Sequence, residues 1–187
     1  FCLSRGLGDV YKRQEVSCAL HMTHMGNTSK PEALIRQALR NGLSDGWGGS
    51  MMGTEFSDVL FGTPKPIDTE ANLGVMVAEN VNIVVHGHDP SLSEMICEYA
   101  DSKEMIDYAK SMGAKGITVS GVCCTSNEVA MRRGIPMAGN FLQQENVVLT
   151  GACEAIVVDV QCIFPALGPL SKCCLLYTSD AADDLIG

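Results

Sequence analysis

The sequence predicts an α/β protein in which a helical segment precedes a parallel β-sheet. From about residue 80 onward, three short apolar runs rich in β-branched residues alternate with helical patterns, which is the arrangement that builds parallel sheets. Before residue 80, apolar residues instead follow helical spacing, and clusters of glycine and proline separate the helical segments.

The first part of the chain predicts helices. Residues 29–32 match a capping box with Pro31 in the first turn, and apolar residues recur after it at helical spacing. These apolar positions are Leu34, Ile35, Ala38, Leu39 and Leu43. The glycine cluster at residues 46–50 predicts a loop, residues 51–60 predict a second helix, and residues 62–66 predict a turn.

The second part predicts three strands, at residues 81–85, 116–120 and 155–160. Two helices follow the first strand, and their apolar faces are predicted from residues at helical spacing. These residues are Leu92, Met95, Ile96 and Tyr99 in the first helix, and Met105, Ile106, Ala109 and Met112 in the second. Ser102 is the predicted N-cap of that second helix. A short helix at residues 127–133 should end at Gly134, and residues 141–149 favour a helix.

A histidine or cysteine lies just beyond each predicted strand. These residues are His88, Cys124 and Cys162. Because the carboxyl ends of parallel strands share one edge of the sheet, we expect the three side chains to converge there. Thiolate and imidazole ligands suit zinc, copper, nickel or iron–sulfur centres better than magnesium or calcium. The spacing alone also allows a simpler interpretation, in which the cysteines are buried hydrophobic residues and the histidine is structural.

Composition excludes several classes of function. The formal net charge is −9 and basic residues do not cluster, which argues against nucleic-acid binding. No stretch approaches the ~18 consecutive apolar residues of a membrane span. No GxGxxG motif follows a strand, which argues against a nucleotide-binding enzyme. Nine cysteines in such a chain indicate metal or redox chemistry rather than disulfides, so we expect a cytoplasmic protein.

Both ends of the chain resemble translated sequencing adaptors. Residues 4–14 (SRGLGDVYKRQ) and 174–184 (CLLYTSDAADD) carry this resemblance, and we set both segments aside. We therefore expect adaptor-derived segments at residues 1–14 and 174–187. Between them we expect the end of a helical domain at residues 15–78 and an incomplete sheet domain at residues 79–173.

Four motifs together resemble one known family. Residues 84–90 (VVHGHDP), 121–128 (GVCCTSNE), 138–142 (AGNFL) and 157–163 (VVDVQCI) are similar to segments of the anaerobic nickel–iron–sulfur carbon monoxide dehydrogenases. The resemblance implies that the chain is an internal fragment which passes from a helical domain into a Rossmann-like, cluster-binding domain. It also implies an oxidoreductase that interconverts carbon monoxide plus water with carbon dioxide, two electrons and two protons.

The resemblance assigns ligands of the nickel–iron–sulfur cluster. It implies that His88 and Cys124 bind a pendant iron and that Cys162 binds the iron–sulfur part. We choose His88 over His86, since the related hybrid-cluster proteins have a single Gly-His at this place. We choose Cys124 over Cys123, because adjacent side chains in extended backbone point to opposite sides and usually only one of them reaches a given metal. Cys18, Cys97, Cys153 and Cys173 match no ligand position.

The same resemblance implies components that this chain lacks. Further cluster cysteines, the acid–base groups and the cysteines of additional [4Fe-4S] clusters lie elsewhere in the family, so we expect the fragment alone to be inactive. A ferredoxin-type electron carrier, a homodimer and an acetyl-coenzyme A synthase are the implied partners. The alternatives are a hybrid-cluster protein acting on hydroxylamine, or a non-catalytic iron–sulfur or redox α/β module.

Overall fold

The structure is a computed structural model that describes residues 2–159 and 162–173. The chain divides into two compact units, residues 1–60 and residues 61–187, which are described separately below. The predicted change from helical to sheet domain, at residue 79, lies within the second of these units. The last residue of the third predicted strand, Val160, and the following Gln161 lie outside the described residues.

Helices account for most of the first unit: α1 (Cys2–Thr23), α2 (Pro31–Asp45) and α3 (Met52–Phe61). Both helices predicted here are therefore confirmed. The predicted capping box is wrong, because the N-cap of α2 is Lys30 and no side chain caps the helix. The predicted glycine loop is also wrong, because Gly46–Met51 forms a π-helical segment between α2 and α3. Because glycine has no side chain, the glycines in this segment tolerate the wider backbone of a π-helical turn without steric conflict.

A buried polar cluster joins α1 to α2. Gln37 donates hydrogen bonds from its Nε2 to the Glu15 carboxylate and carbonyl, each at 2.9 Å, and Arg40 forms an ion pair with the same carboxylate. The Arg40 guanidinium and then the Gln37 amide lower the pKa of Glu15. The apolar face predicted for α2 is not its buried face. Ile35, Leu39 and Leu43 are exposed, whereas Gln37 is buried.

The second unit alternates strands with helices. Its elements are β1 (Val81–His86), α4 (Pro90–Ala100), α5 (Lys103–Ser111), β2 (Ile117–Val122), α6 (Cys123–Arg133), β3 (Met137–Gly139), α7 (Gln144–Leu149), β4 (Ala155–Val158) and α8 (Leu167–Cys173). The described strands form one parallel sheet with the order β3-β2-β1-β4. This arrangement confirms the predicted α/β class and the three predicted strands.

The sheet places β1 in its centre, between β2 and β4. Within β1, Val84 lies opposite Ser120 of β2 and Ile156 of β4. Val84 and Val122 are fully buried and belong to the main apolar core, together with residues of α7 and α8. Such strands, covered on both faces, explain why the sequence shows continuous apolar runs rather than alternation.

The apolar spacing did not predict the buried face of α4, and it predicted that of α5 only in part. In α4 the predicted residues Leu92, Met95 and Tyr99 are exposed, whereas the buried residues are Pro90, Ser93, Glu94, Cys97 and Ala100. In α5, Met105 and Met112 are exposed and Ala109 is buried. The helix ends agree better with prediction: the Ser102 hydroxyl accepts a hydrogen bond from Met105 N–H, and Gly134 ends α6 with a left-handed φ of 76°.

The helix predicted at residues 127–133 begins four residues earlier, since α6 starts at Cys123, directly after β2. Both adjacent cysteines therefore lie in the first turn of a helix. None of the helices in the described part of the chain is both long and apolar enough to cross a membrane.

Candidate metal centre

Three potential metal ligands meet at the carboxyl edge of the sheet. His88 follows β1, Cys123 follows β2 and Cys162 follows β4, and the ligand atoms of all three lie within 4.8 Å of one another. The Cys162 Sγ lies 3.8 Å from His88 Nε2. The order β3-β2-β1-β4 reverses direction between β1 and β4, and ligands of open parallel sheets bind in the crevice beside such a reversal.

The group differs from the sequence prediction at one position. His88 and Cys162 lie together, but the third thiol within reach belongs to Cys123, which is buried, while Cys124 is exposed and lies outside the group. Alternation along the chain indicates that one of two adjacent thiols reaches a given metal, but it does not indicate which one. The backbone at Cys123 adopts a φ of 72°, and this local turn is what the residue pattern did not reveal.

The loop that carries His88 is fixed on one side by Asp159, the residue after β4. The Asp159 carboxylate accepts a hydrogen bond from His88 N–H at 2.6 Å, and Asp159 N–H donates to the His86 carbonyl at 3.1 Å. Gly87 has a φ of 133°, and a Cβ at this position would overlap the Asp159 carboxylate. Glycine is therefore required both by the backbone conformation and by the space that Asp159 occupies.

Thr125 fixes the other side of the same loop from the first turn of α6. Its N–H donates to the Gly87 carbonyl at 2.8 Å, and its hydroxyl donates to the Asp89 carbonyl at 3.1 Å. Since that hydroxyl proton is already used, Ser93 must be the donor in the 2.7 Å contact between the two hydroxyl groups. Thr125 is fully buried, so these bonds form away from water.

Both cysteines of the group have unusual backbone geometry. Cys123 has a φ of 72° and Cys162 a φ of 57°, and Met25 is the remaining non-glycine residue with positive φ in the described part of the chain. A left-handed conformation is unfavourable for a cysteine and persists where the surrounding structure enforces it, most often at functional sites. Two such residues at one edge of the sheet indicate a built site rather than a chance cluster.

His86 and Gln144 lie behind the group and are both fully buried. The His86 Nε2 lies 2.9 Å from the Gln144 Oε1, and its Nδ1 faces the Val122 carbonyl at 3.4 Å. His86 therefore lies outside the group of potential ligands, and the choice of His88 over His86 as a metal ligand stays a prediction. Sequence reasoning missed Gln144, because a single glutamine in a short helix carries no motif; its burial is visible only in the folded chain.

The side chains of the group suit a soft or borderline metal. Burial raises the pKa of the Cys123 thiol to about 11, and the neighbouring Cys124 and Cys162 thiols add to this shift. A metal that binds there must displace the thiol proton, since the thiolate is the ligand. The His88 Nδ1 is buried without a hydrogen-bond partner in the described structure, whereas Nε2 faces the group and is free to bind a metal.

The spacing of the ligand atoms sets the size of what fits between them. With metal–sulfur distances of ~2.3 Å, ligands of one ion lie up to ~4.6 Å apart, close to the spacing seen here. Two thiols and one imidazole therefore fit one metal ion, either alone or as one corner of a larger cluster. A tetrahedral ion would still need a fourth ligand, and a cluster would need several more.

Comparisons with known proteins place this arrangement in context. Residues 9–181 match the Prismane/CO dehydrogenase family. Carbon monoxide dehydrogenase 1 of Methanosarcina mazei is 53% identical over 174 residues, covering 91% of this chain and 28% of that protein. The carbon monoxide dehydrogenase/acetyl-CoA synthase subunit beta of Moorella thermoacetica is 47% identical over 158 residues, covering 84% of this chain and 23% of that protein.

A solved structure agrees with the fold. A nickel-free crystal structure of carbon monoxide dehydrogenase from a Thermococcus species superposes with a TM-score of 0.83 at 53% identity. The superposition covers 88% of this chain and 26% of that one. The chain thus spans about a quarter of the length of the relatives that it matches.

Proposed function

Because the chain belongs to the Prismane/CO dehydrogenase family, we propose that it forms part of an enzyme that interconverts carbon monoxide plus water with carbon dioxide, two electrons and two protons. The meeting of His88, Cys123 and Cys162 at one edge of the sheet is the observation that supports this proposal most directly. The chain spans only about a quarter of its relatives, so the activity is proposed for the longer protein that contains this segment.

The cofactor that we propose is a nickel–iron–sulfur cluster, with additional [4Fe-4S] clusters in the longer protein. When bound, such a cluster supplies a Lewis acid and an electron acceptor for the reaction. His88 would be a ligand through Nε2, and Cys162 through its thiolate. The third thiolate would come from the adjacent pair: the family resemblance implies Cys124, whereas the grouping of the Cys123 thiol with His88 and Cys162 supports Cys123.

The residues around the ligands orient them and limit access of water. Asp159 and Thr125 bind the backbone on both sides of His88, which fixes the loop that carries its imidazole. The ring needs no large movement to bind a metal, and Cys123 is shielded from solvent. Among the described residues, no acid–base pair completes the reaction, so we propose that proton transfer uses groups from other parts of the longer protein.

Partners and location are also proposals. The name of the Moorella thermoacetica relative, which joins carbon monoxide dehydrogenase with acetyl-CoA synthase, supports an acetyl-coenzyme A synthase partner. A ferredoxin-type electron carrier, a homodimer and a cytoplasmic location stay predictions from the sequence.

The test is carbon monoxide oxidation by the longer protein, produced anaerobically with nickel and iron and assayed with a viologen dye. We expect His88→Ala and Cys162→Ser to lower kcat at least 100-fold and to reduce the nickel content. Comparison of Cys123→Ser with Cys124→Ser identifies the third ligand, since only the variant that loses it should match these losses. Cys18→Ser, which changes an exposed thiol on α1, is the control and should keep full activity.

Other outcomes would contradict the proposal. Reduction of hydroxylamine without oxidation of carbon monoxide would favour the hybrid-cluster alternative. Full activity in both His88→Ala and Cys162→Ser would show that this edge of the sheet does not bind the cluster.

A further inference from the structure

Gln144 is a fully buried amide at the start of α7, and it hydrogen-bonds to four groups around the metal centre. Its Nε2 donates to the Phe141 carbonyl at 2.6 Å and to the Cys162 carbonyl at 2.9 Å. Its Oε1 accepts from Phe164 N–H at 2.8 Å and lies 2.9 Å from His86 Nε2. Every donor and acceptor position of the amide is therefore used.

The partners determine which way the amide points. Phe164 N–H can only donate, so the atom facing it must be the Gln144 oxygen, and the two carbonyls on the other side can only accept. His86 must then carry a proton on Nε2 and donate to the same oxygen. The Gln144 amide therefore has a single consistent orientation, and a buried amide with all its hydrogen bonds formed favours one geometry over its alternatives.

This network connects the two loops of the metal centre. His86 is the last residue of β1 and lies two residues before His88, while the Cys162 carbonyl belongs to the loop after β4. Gln144 contacts both, and so sets the distance between the loop that presents His88 and the loop that presents Cys162. The Cys162 Sγ then lies 3.8 Å from His88 Nε2.

The bond to Cys162 has a particular importance because of the backbone there. Cys162 has a φ of 57°, a left-handed conformation that a cysteine leaves unless its surroundings prevent it. The Gln144 Nε2 binds the carbonyl of this residue, and its Oε1 binds the N–H of Phe164 two residues later. The glutamine thus restrains the strained residue and the chain directly after it.

We propose that Gln144 is a positioning residue of the metal centre: it keeps Cys162 in its left-handed conformation and at binding distance from His88. This inference rests on the proposed function, since it assigns Gln144 a role in the same cluster site. Gln144 does not itself contact the metal or the substrate, and acts through the backbone of Cys162 and through His86.

The alternative is that Gln144 serves only to fill the core beside Val147 and Val148, which are both fully buried. A side chain of similar volume would then replace it without effect on the cluster, whatever the change in the stability of the folded protein. The two roles therefore differ in their effect on the spectrum and metal content of the site rather than in their effect on stability.

The decisive variant is Gln144→Glu in the full-length enzyme. Glutamate has the same shape and can still accept from Phe164 N–H and His86, but its carboxylate cannot donate to the Cys162 carbonyl. Gln143→Glu is the matched control, because it makes the same chemical change one residue earlier. The Gln143 side chain is exposed, and only its oxygen forms a hydrogen bond, which it accepts from Asn140 N–H. Gln144→Met, which cannot form any of the four hydrogen bonds, is the second variant.

We expect Gln144→Glu and Gln144→Met to shift the electron paramagnetic resonance g-values of the reduced cluster and to lower nickel content at least threefold. The kcat for carbon monoxide should fall at least tenfold with KM changed less than twofold, because the substrate contacts are intact. In the metal-free protein, the alkylation rate of Cys162, followed by mass spectrometry of its peptide, should change at least threefold. Gln143→Glu should stay within twofold of the wild type in every measurement.

The proposal would be overturned if both Gln144 variants kept the wild-type g-values, nickel content and rate of Cys162 alkylation, even with a lower melting temperature. Gln144 would then have only a packing role. If Gln144→Met does not fold, Gln144→Glu decides the question alone. Failure of the proposed function gives a different result: the wild-type enzyme would then lack a nickel-dependent signal. The alkylation of Cys162 in the metal-free protein would still decide whether Gln144 restrains that residue.

Discussion

At the scale of single residues, the candidate metal centre is built on backbone conformations that most side chains avoid. Cys123 and Cys162 have left-handed backbone, and Gly87 has a φ of 133° with the Asp159 carboxylate in the space where a Cβ would lie. Gln144 donates a hydrogen bond to the Cys162 carbonyl, and Asp159 and Thr125 bind the backbone around Gly87. The positions of the candidate ligands therefore depend on neighbours that lie outside the group of His88, Cys123 and Cys162.

Substitution of Gly87 tests this dependence. We expect Gly87→Ala to destabilise the protein at least twice as much as Gly113→Ala, measured by thermal unfolding. Both glycines have positive φ, and strain of this kind costs ~1–3 kcal/mol, but a Cβ at Gly113 meets no atom within 4 Å. The added methyl at Gly87 must also displace Asp159, and so should lower the metal content, which Gly113→Ala should leave unchanged. Equal losses in both variants would contradict the role of Asp159.

At the scale of elements, the helices that follow β1 and β2 are joined by a buried ion-pair cluster. Glu94 of α4 is 1% exposed and pairs with Arg132 and Arg133 of α6, at 3.4 Å and 2.6 Å. Arg133 also pairs with Glu98, which is 64% exposed. Because α4 follows the His88 loop and α6 begins at Cys123, this cluster fixes two of the elements that surround the site.

The two glutamates of α4 provide a matched pair of variants. We expect Glu94→Ala to lower the free energy of unfolding by ~3 kcal/mol, the low end for breaking a buried ion pair, because Arg132 loses its carboxylate from α4 but keeps Glu128 at 3.0 Å. Glu98→Ala removes a largely exposed partner of Arg133 and should cost less than ~1 kcal/mol. Urea unfolding followed by circular dichroism measures both. Similar losses would mean that the buried pairing does not join α4 to α6.

At the scale of the whole molecule, stability should depend on buried thiols as well as on the sheet. Cys97 and Cys153 are 2% and 4% exposed, and burial raises the pKa of each to about 12 from an ordinary value of 9.0. The folded state thus keeps these thiols protonated at a pH where the unfolded chain loses the proton. The contribution of these two thiols to the free energy of unfolding is fully present below pH 9 and is lost as the pH rises from 9 towards 12.

Alkaline unfolding of the purified chain tests this prediction. Above pH 9 the free energy of unfolding should fall by up to ~1.4 kcal/mol per pH unit for each buried thiol. Urea midpoints at pH 8 and pH 10.5 measure the change. Cys97→Ala and Cys153→Ala should each make the pH dependence shallower, whatever they do to stability at pH 8. Cys18→Ala, at an exposed thiol, should leave the pH dependence unchanged; an equal effect in all three variants would contradict the burial argument.

Local signals in the sequence were sufficient for the strands, for most helices and for several helix ends. β1, β2 and β4 are runs of β-branched residues, and their pattern follows from burial on both faces of the sheet. Ser102 and Gly134 act within a few residues of themselves, so their roles as N-cap and helix end were predictable. The parallel order of the strands then implied that residues after them would meet at one edge.

Contacts between distant residues determined the remaining features. The buried face of α4 contains Glu94 instead of the larger apolar residues, because arginines 38 and 39 positions later neutralise it. β3 has three residues, too few for a periodic signal, and depends on its pairing with β2. Gln144 and the left-handed backbone of Cys123 have no local signature.

The residue types and their order along the chain thus predicted the fold class, and they predicted that His88 and Cys162 would meet at the sheet edge. Only the tertiary structure shows that the Cys123 thiol, and not that of Cys124, lies close to His88 and Cys162. It also shows that Gln144 binds the Cys162 carbonyl. The physical reason is that strand and helix propensities act over a few residues. Side-chain direction at a loop instead depends on hydrogen bonds and packing between segments that are far apart in sequence.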